Sequence, residues 1–139
     1  MDWDYCKKNF IKKIEKDKEK IESIKKTAVL RLKYIKNTKV DDENSSFIIE
    51  GYYEVIKELL AALMLVDGLK SNNHQCLISY FYNKYKDYDA EINLISQMSF
   101  LRNRLNYYGE QIETAFYEKN KIEFEKIINL LQKLINEQN

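Results

Sequence analysis

The chain has 139 residues, 45% of them apolar and 32% charged, with no proline and three glycines. That balance excludes a disordered chain, and the length excludes two domains of ordinary size, leaving a single domain over residues 1–139. The formal net charge of +1 does not by itself argue for a polyanion partner, but residues 1–39 carry thirteen Lys or Arg against six Asp or Glu, a balance of +7, and the remainder stands at −6.

In chain order, apolar residues at Trp3, Cys6, Phe10, Ile14, Ile21, Ile24, Ala28, Leu32 and Ile35 predict one long amphipathic helix. It runs from about residue 3 to residue 34 or 37, with Asp17 interrupting the stripe. Its basic character has two readings: a solvated helix face with pairs such as Glu15 and Lys18, or an RNA-binding surface. Asp41 to Ser46 is a polar loop able to cap a second helix, Phe47 to Leu69. The stretch Leu59 to Val66 is apolar nearly all round and is expected to be the most buried element. Gly68 and the run Lys70-Ser71-Asn72-Asn73 read as stop and turn. A third helix is expected from His74 to Tyr85, and a loop over 86–89 ends with Asp89 as N-cap. A fourth helix carries Ile92 through Tyr107, ending at Gly109. The last segment, Gln111 to Glu137, is amphipathic, with a break near Lys119-Asn120. No period-two strand pattern is visible. The fold class expected is all-α: an antiparallel up-and-down bundle of four main helices plus a short extra helix.

Cys6 and Cys76 lack metal-ligand spacing, and the chain has one histidine, so neither a metal site nor a cofactor is expected. The N-terminal Met1-Asp2-Trp3-Asp4 has no signal-peptide pattern, and the longest apolar run of about eight residues is too short to span a bilayer. The expected setting is therefore cytoplasmic, away from membranes, with both thiols reduced.

The most polar segment next to a predicted core stripe is Leu101-Arg102-Asn103-Arg104-Leu105-Asn106-Tyr107-Tyr108-Gly109. Leu94, Met98, Leu101, Leu105 and Tyr108 mark the stripe, which assigns Tyr108 to the core. Arg102 with Asn106, and Asn103 with Tyr107, are four apart and share faces. Arg suits phosphate because its planar fork gives two parallel hydrogen bonds. Arg104 reads as a surface ion-pair residue. Glu50, Glu54 and Lys57 share a face of the second helix, where Glu54 either pairs with Lys57 or reaches Arg102 across the fold. Tyr52, Tyr53, Tyr80, Phe81 and Tyr82 are expected in the core or at a dimer interface.

Two blocks of the chain resemble the HEPN superfamily, small helical proteins found beside prokaryotic nucleotidyltransferases and in RNA-cleaving defence systems. One block is Gly51-Tyr52-Tyr53-Glu54-Val55-Ile56-Lys57-Glu58-Leu59-Leu60, continuing through Asp67-Gly68-Leu69-Lys70-Ser71 to His74. The other is Leu101-Arg102-Asn103-Arg104 through Gly109. That superfamily's signature is an Arg followed four to six residues later by His, often with Asn after the Arg. By resemblance Arg102 takes the Arg position and Asn103 the polar one, while the His position falls on Tyr107 or Tyr108. A phenol with a pKa of about 10 is poorly matched to proton exchange near neutral pH, but it can donate to phosphate or stack on a base.

The resemblance implies a homodimeric nucleotide- or RNA-binding module, partnered by a nucleotidyltransferase in a toxin–antitoxin-type system. Its ligand residues would be Arg102, Asn103, Asn106, Tyr107, Tyr108, Glu54 and His74. The alternatives are a metal-independent endoribonuclease toxin using Arg102, Asn103 and Tyr107, and a structural adaptor in which the polar cluster locks an interface. His74 reads either as a structural residue opening its helix or as the partner of Arg102, restoring a His–Arg pair from another position.

Overall fold

A computed structural model describes residues 2–139, and the chain is all-helical apart from one short ribbon. The helices are α1 (Trp3–Asn9), α2 (Lys18–Lys36), α3 (Ser45–Val66), α4 (His74–Lys84), α5 (Asp89–Tyr108) and α6 (Thr114–Gln138). The ribbon pairs β1 (Lys12–Lys13) with β2 (Leu69–Lys70) antiparallel, Lys12 opposite Lys70 and Lys13 opposite Leu69.

The single long first helix expected from periodicity is two helices. Asp17 is the reason: it stands in extended conformation and its carboxylate accepts the Lys20 N–H at 3.1 Å, so it starts α2. The chain before it is drawn out to pair with β2, a contact no local pattern encodes. The last segment differs the other way, since Lys119 and Asn120 lie within an unbroken α6. The Asn120 amide donates back to Phe116 O at 2.9 Å, which lets a polar residue remain in the helix. Asp89 is the first residue of α5 and not its cap, which falls on Tyr88. Gly68 and Gly109 both take positive φ, ending α3 and α5 as their positions predict.

Helix α3 is the axis of the fold, and α2, α4, α5 and α6 all pack on it. Its Val55, Ile56, Leu59, Leu60, Ala62, Leu63 and Met64 are at most 1% exposed. Each large apolar side chain removed from water there contributes roughly 1.5–3 kcal/mol. Close approach of α2 depends on Gly51, where an added Cβ would meet Ile35 Cδ1 at 2.9 Å. The α3 start is pinned by buried serines and not by a side-chain cap. Ser45 Oγ donates to Ile112 O at 3.0 Å, and the Ile112 N–H donates to Ser46 Oγ at 2.7 Å. Tyr52, Tyr53, Tyr80 and Phe81 are buried as expected, whereas Tyr82 is exposed.

Cys6 and Cys76, expected as free thiols, close a disulfide between α1 and α4, with Cα atoms 5.6 Å apart. Sequence spacing gave no hint of it because 70 positions separate the two residues. Among the described residues, no helix is long and apolar enough to cross a membrane.

Candidate functional site

Helix α3 leaves one face incompletely covered, between α2 and α5. Glu50, Glu54 and Lys57 recur on it at helical spacing, fixed in direction by the buried positions on the opposite side. From α5, Arg102 reaches both carboxylates: its Nε lies 3.9 Å from Glu50 Oε2 and its Nη2 lies 3.6 Å from Glu54 Oε1. Both contacts exceed hydrogen-bond length, so the guanidinium is held in place electrostatically without its fork being taken up by a carboxylate. Asn106, one turn on, donates to Glu50 Oε2 and accepts from Arg102 Nε, each at 3.2 Å, with its amide in the orientation that satisfies both groups. Lys57 Nζ pairs with Glu54 at 2.6 Å. Both alternatives for Glu54 are thus realised together.

His74, at the start of α4, joins this cluster. Its half-buried ring lies 6.4 Å from the Tyr53 ring centroid. Burial pushes the imidazole below its ordinary value, and the positive charges of Lys57 and Arg102 push the same way against Glu54. Tyr53 is held above the usual phenol value by burial, opposed by its hydrogen bond to Ser99 and by Arg102. Gln75 Nε2 donates to that Ser99 hydroxyl at 3.0 Å, tying α4 to α5 behind the cluster. Ser99, Gln75, Tyr53 and Lys57 were outside the expected ligand set. Only Lys57 had a signal in the sequence, its spacing from Glu54.

The lowered pKa of His74 carries a pH dependence. An imidazole that binds protons less readily when folded is a stabilising neutral group above the unfolded value of 6.5. That stability falls as pH drops from 6.5 through the lowered folded value. Because His74 is the sole histidine, its imidazole proton resonances follow it alone, and an NMR titration should give a midpoint below 6.5. A midpoint at or above that value would contradict the arrangement.

On the other side of the same carboxylates lies an open groove of about 490 Å³ between α2 and α3. Tyr34, Phe47 and Arg31 line it with Glu50 and Glu54. Arg31 Nε is fixed by Glu58 at 2.7 Å. The cluster can therefore present an arginine fork, an amide, an imidazole and two carboxylates beside aromatic surface.

The remaining predicted residues fall elsewhere. Tyr107 and Tyr108 are 77% and 71% exposed, away from Arg102, so Tyr108 is not the core residue its spacing suggested. The buried stripe of α5 is Ile92, Ile95, Met98, Ser99 and Leu105; it shares Met98 and Leu105 with the expected one, with Leu94 and Leu101 packed partly buried at its edge. Asn103 is half-buried, one position round the helix from Arg102. Arg104 is a surface ion-pair residue as expected: its Nε donates to Glu110 Oε2 at 2.6 Å, and its guanidinium lies over the Phe100 and Tyr108 rings. Among the described residues, no group of three or more His, Cys, Asp or Glu side chains is placed to hold a metal ion. The chain matches no protein-family model, no curated protein and no solved structure.

Proposed function

We propose that this chain is a HEPN-like helical module, a four-main-helix up-and-down bundle with an extra helix, that binds a nucleotide or RNA phosphate at the Arg102 cluster. One observation carries the reading: Arg102 from α5 reaches both Glu50 and Glu54 of α3, Asn106 bonds Glu50 and Arg102, and His74 of α4 lies within the field of Arg102, Lys57 and Glu54. In this reading Arg102 contacts phosphate, Asn106 and Asn103 supply polar contacts, Glu50 and Glu54 orient the guanidinium, and His74 is the group able to exchange a proton. Exposed Tyr107 and Tyr108 then serve a second copy or a nucleotidyltransferase partner, in a toxin–antitoxin-type system, since tyrosine-rich surface suits protein interfaces. The Cys6–Cys76 disulfide favours an oxidising compartment over the cytoplasmic setting expected from the sequence.

The test pairs binding with cleavage. Titration of a 5′-phosphorylated oligonucleotide should show Arg102→Ala weakening binding roughly 10- to 100-fold, the worth of a charge-assisted phosphate contact. Incubation with RNA in EDTA reads the endoribonuclease alternative. Cleavage lost in both Arg102→Ala and His74→Ala would establish it, and would replace the catalytic Tyr107 of the sequence reading with His74. A structural lock is the second reading, favoured by the two carboxylates that Arg102 bridges between α3 and α5. Unchanged binding in Arg102→Ala with a lowered melting temperature would select it and overturn the ligand site.

A further inference from the structure

A second groove, of about 460 Å³, opens where the ribbon meets the start of α4. Lys8, Lys12 and Lys70 line it together with Phe10, Asn72 and Asn73. The ribbon register sets Lys12 directly opposite Lys70, so two ammonium stems leave the same face of a two-stranded pair. Like charges directly opposite in a ribbon destabilise it. Among the described residues, none of these three lysines has an ion pair within 4 Å, nor do Lys13, Lys16, Lys18 and Lys20 in the adjoining chain. The cationic character of the groove is therefore local, resting on Lys8, Lys12 and Lys70 themselves, since residues 1–20 as a whole carry seven lysines against five carboxylates.

The groove is also built to keep its shape. The Cys6–Cys76 disulfide joins α1, which leads to Lys8 and Phe10, to α4, whose cap Asn73 forms the far wall. The Asn73 side chain accepts the Cys76 N–H at 3.1 Å, and the Ile14 N–H donates to Gly68 O at 2.8 Å beside the ribbon. Gly68 cannot carry a side chain there without strain, having φ of +72° and Ile14 O 3.0 Å from an added Cβ. Phe10 is 39% exposed on the wall, its ring 5.9 Å from that of Tyr5. Converging ammonium groups with an aromatic wall and side-chain amides are the combination that tracks a flexible phosphate backbone while a base stacks.

We infer that the ribbon groove formed by Lys8, Lys12, Lys70 and Phe10 binds single-stranded nucleic acid through its phosphates. The site is separate from the Arg102 cluster and does not rest on it. A strand whose phosphates lie between Lys12 and Lys70 relieves their mutual repulsion, and Phe10 supplies the stacking face. Sequence preference is expected to be weak, because phosphate contacts carry no base information.

Fluorescence anisotropy with labelled oligo(U) and oligo(dT) tests this on the oxidised full chain. Binding should weaken as salt rises, with a log–log slope of about −2 if three phosphates are engaged, at roughly 0.7 per contact for a single strand. The triple variant Lys8→Ala, Lys12→Ala, Lys70→Ala should bind at least tenfold more weakly with a flatter salt slope, while a variant that loses the same charge from exposed α6 positions, Lys119→Ala, Lys126→Ala, Lys133→Ala, binds as the parent. Lys12→Glu places a carboxylate opposite Lys70, so it should raise the melting temperature and lower affinity together. RNA and DNA arms separate a backbone site from one that reads the 2′-hydroxyl. Parent-like binding by the triple variant, no binding at low salt, or capture by phosphatidylserine vesicles without oligonucleotide binding would each overturn the inference. Parent-like binding by the lysine triple variant beside weakened binding in Arg102→Ala would leave the α3–α5 cluster as the nucleic-acid contact and sink the ribbon groove, while failure of Arg102→Ala to weaken binding would sink the Arg102 reading alone.

Discussion

Reduction of the Cys6–Cys76 disulfide is expected to lower stability by about 4 kcal/mol, the unfolded-chain entropy that a crosslink spanning 70 positions removes. The loop it closes runs through α2, α3 and the ribbon, so about half the chain is constrained by one bond. Both cysteines are fully buried, and α1 is a seven-residue helix whose contacts with the rest of the fold are chiefly to α4. A helix that short is not stable alone. Without the bond, α1 retains Trp3 edge-on to Tyr80 at 5.6 Å and little other aromatic packing. Urea denaturation with and without reductant, beside a Cys6→Ala, Cys76→Ala variant, measures the effect. Coincident midpoints would show that the crosslink contributes nothing. A selective loss of α1 protection in hydrogen exchange would show that it acts locally.

Phe124→Ala in α6 should cost about 3–5 kcal/mol, the usual range for emptying a buried phenyl site. Phe124 is fully buried, with its ring 5.2 Å from Tyr52 on α3 and 6.1 Å from Phe116 one turn pair earlier on its own helix. Tyr52 also contacts Tyr117 at 6.3 Å, so the removed ring sits at the centre of an aromatic group joining α3 to α6. Backbone on both sides is helical and cannot collapse into the space. Phe124→Leu should recover most of the loss because it refills much of the volume without a new polar group. An unfolding free energy within about 1 kcal/mol of the parent for Phe124→Ala would mean that α6 is loosely docked, contrary to the packing seen.

The site was partly legible before the fold was known. Arg102 with Asn106 and Glu54 with Lys57 are local pairs, and helical spacing alone puts each on one face. Their convergence was not legible, because it depends on how α3 and α5 cross. His74 illustrates the limit: its place in the chain says only that it opens a helix, while its depressed pKa comes first from burial and then from Lys57 and Arg102 on two other helices. Tyr108 illustrates the opposite error. The spacing rule that assigned it to the core ignores that α5 ends at Gly109: Leu105 is still buried, but Tyr108, the last helical residue, is left exposed with the Arg104 guanidinium over its ring.

The sequence by itself determined the helical class, the burial of α3, and the stops at Gly68 and Gly109, because those follow from composition, apolar periodicity and the backbone freedom of glycine. It also placed a cationic excess in the first third of the chain. Only the tertiary structure decided that Asp17 divides the first helix, that Lys12 faces Lys70, and that Cys6 meets Cys76. Each of these joins segments more than fifty residues apart or answers to such a join. Local propensity acts over a few turns, whereas these pairings are fixed by which surfaces α3 brings together when its apolar faces are covered.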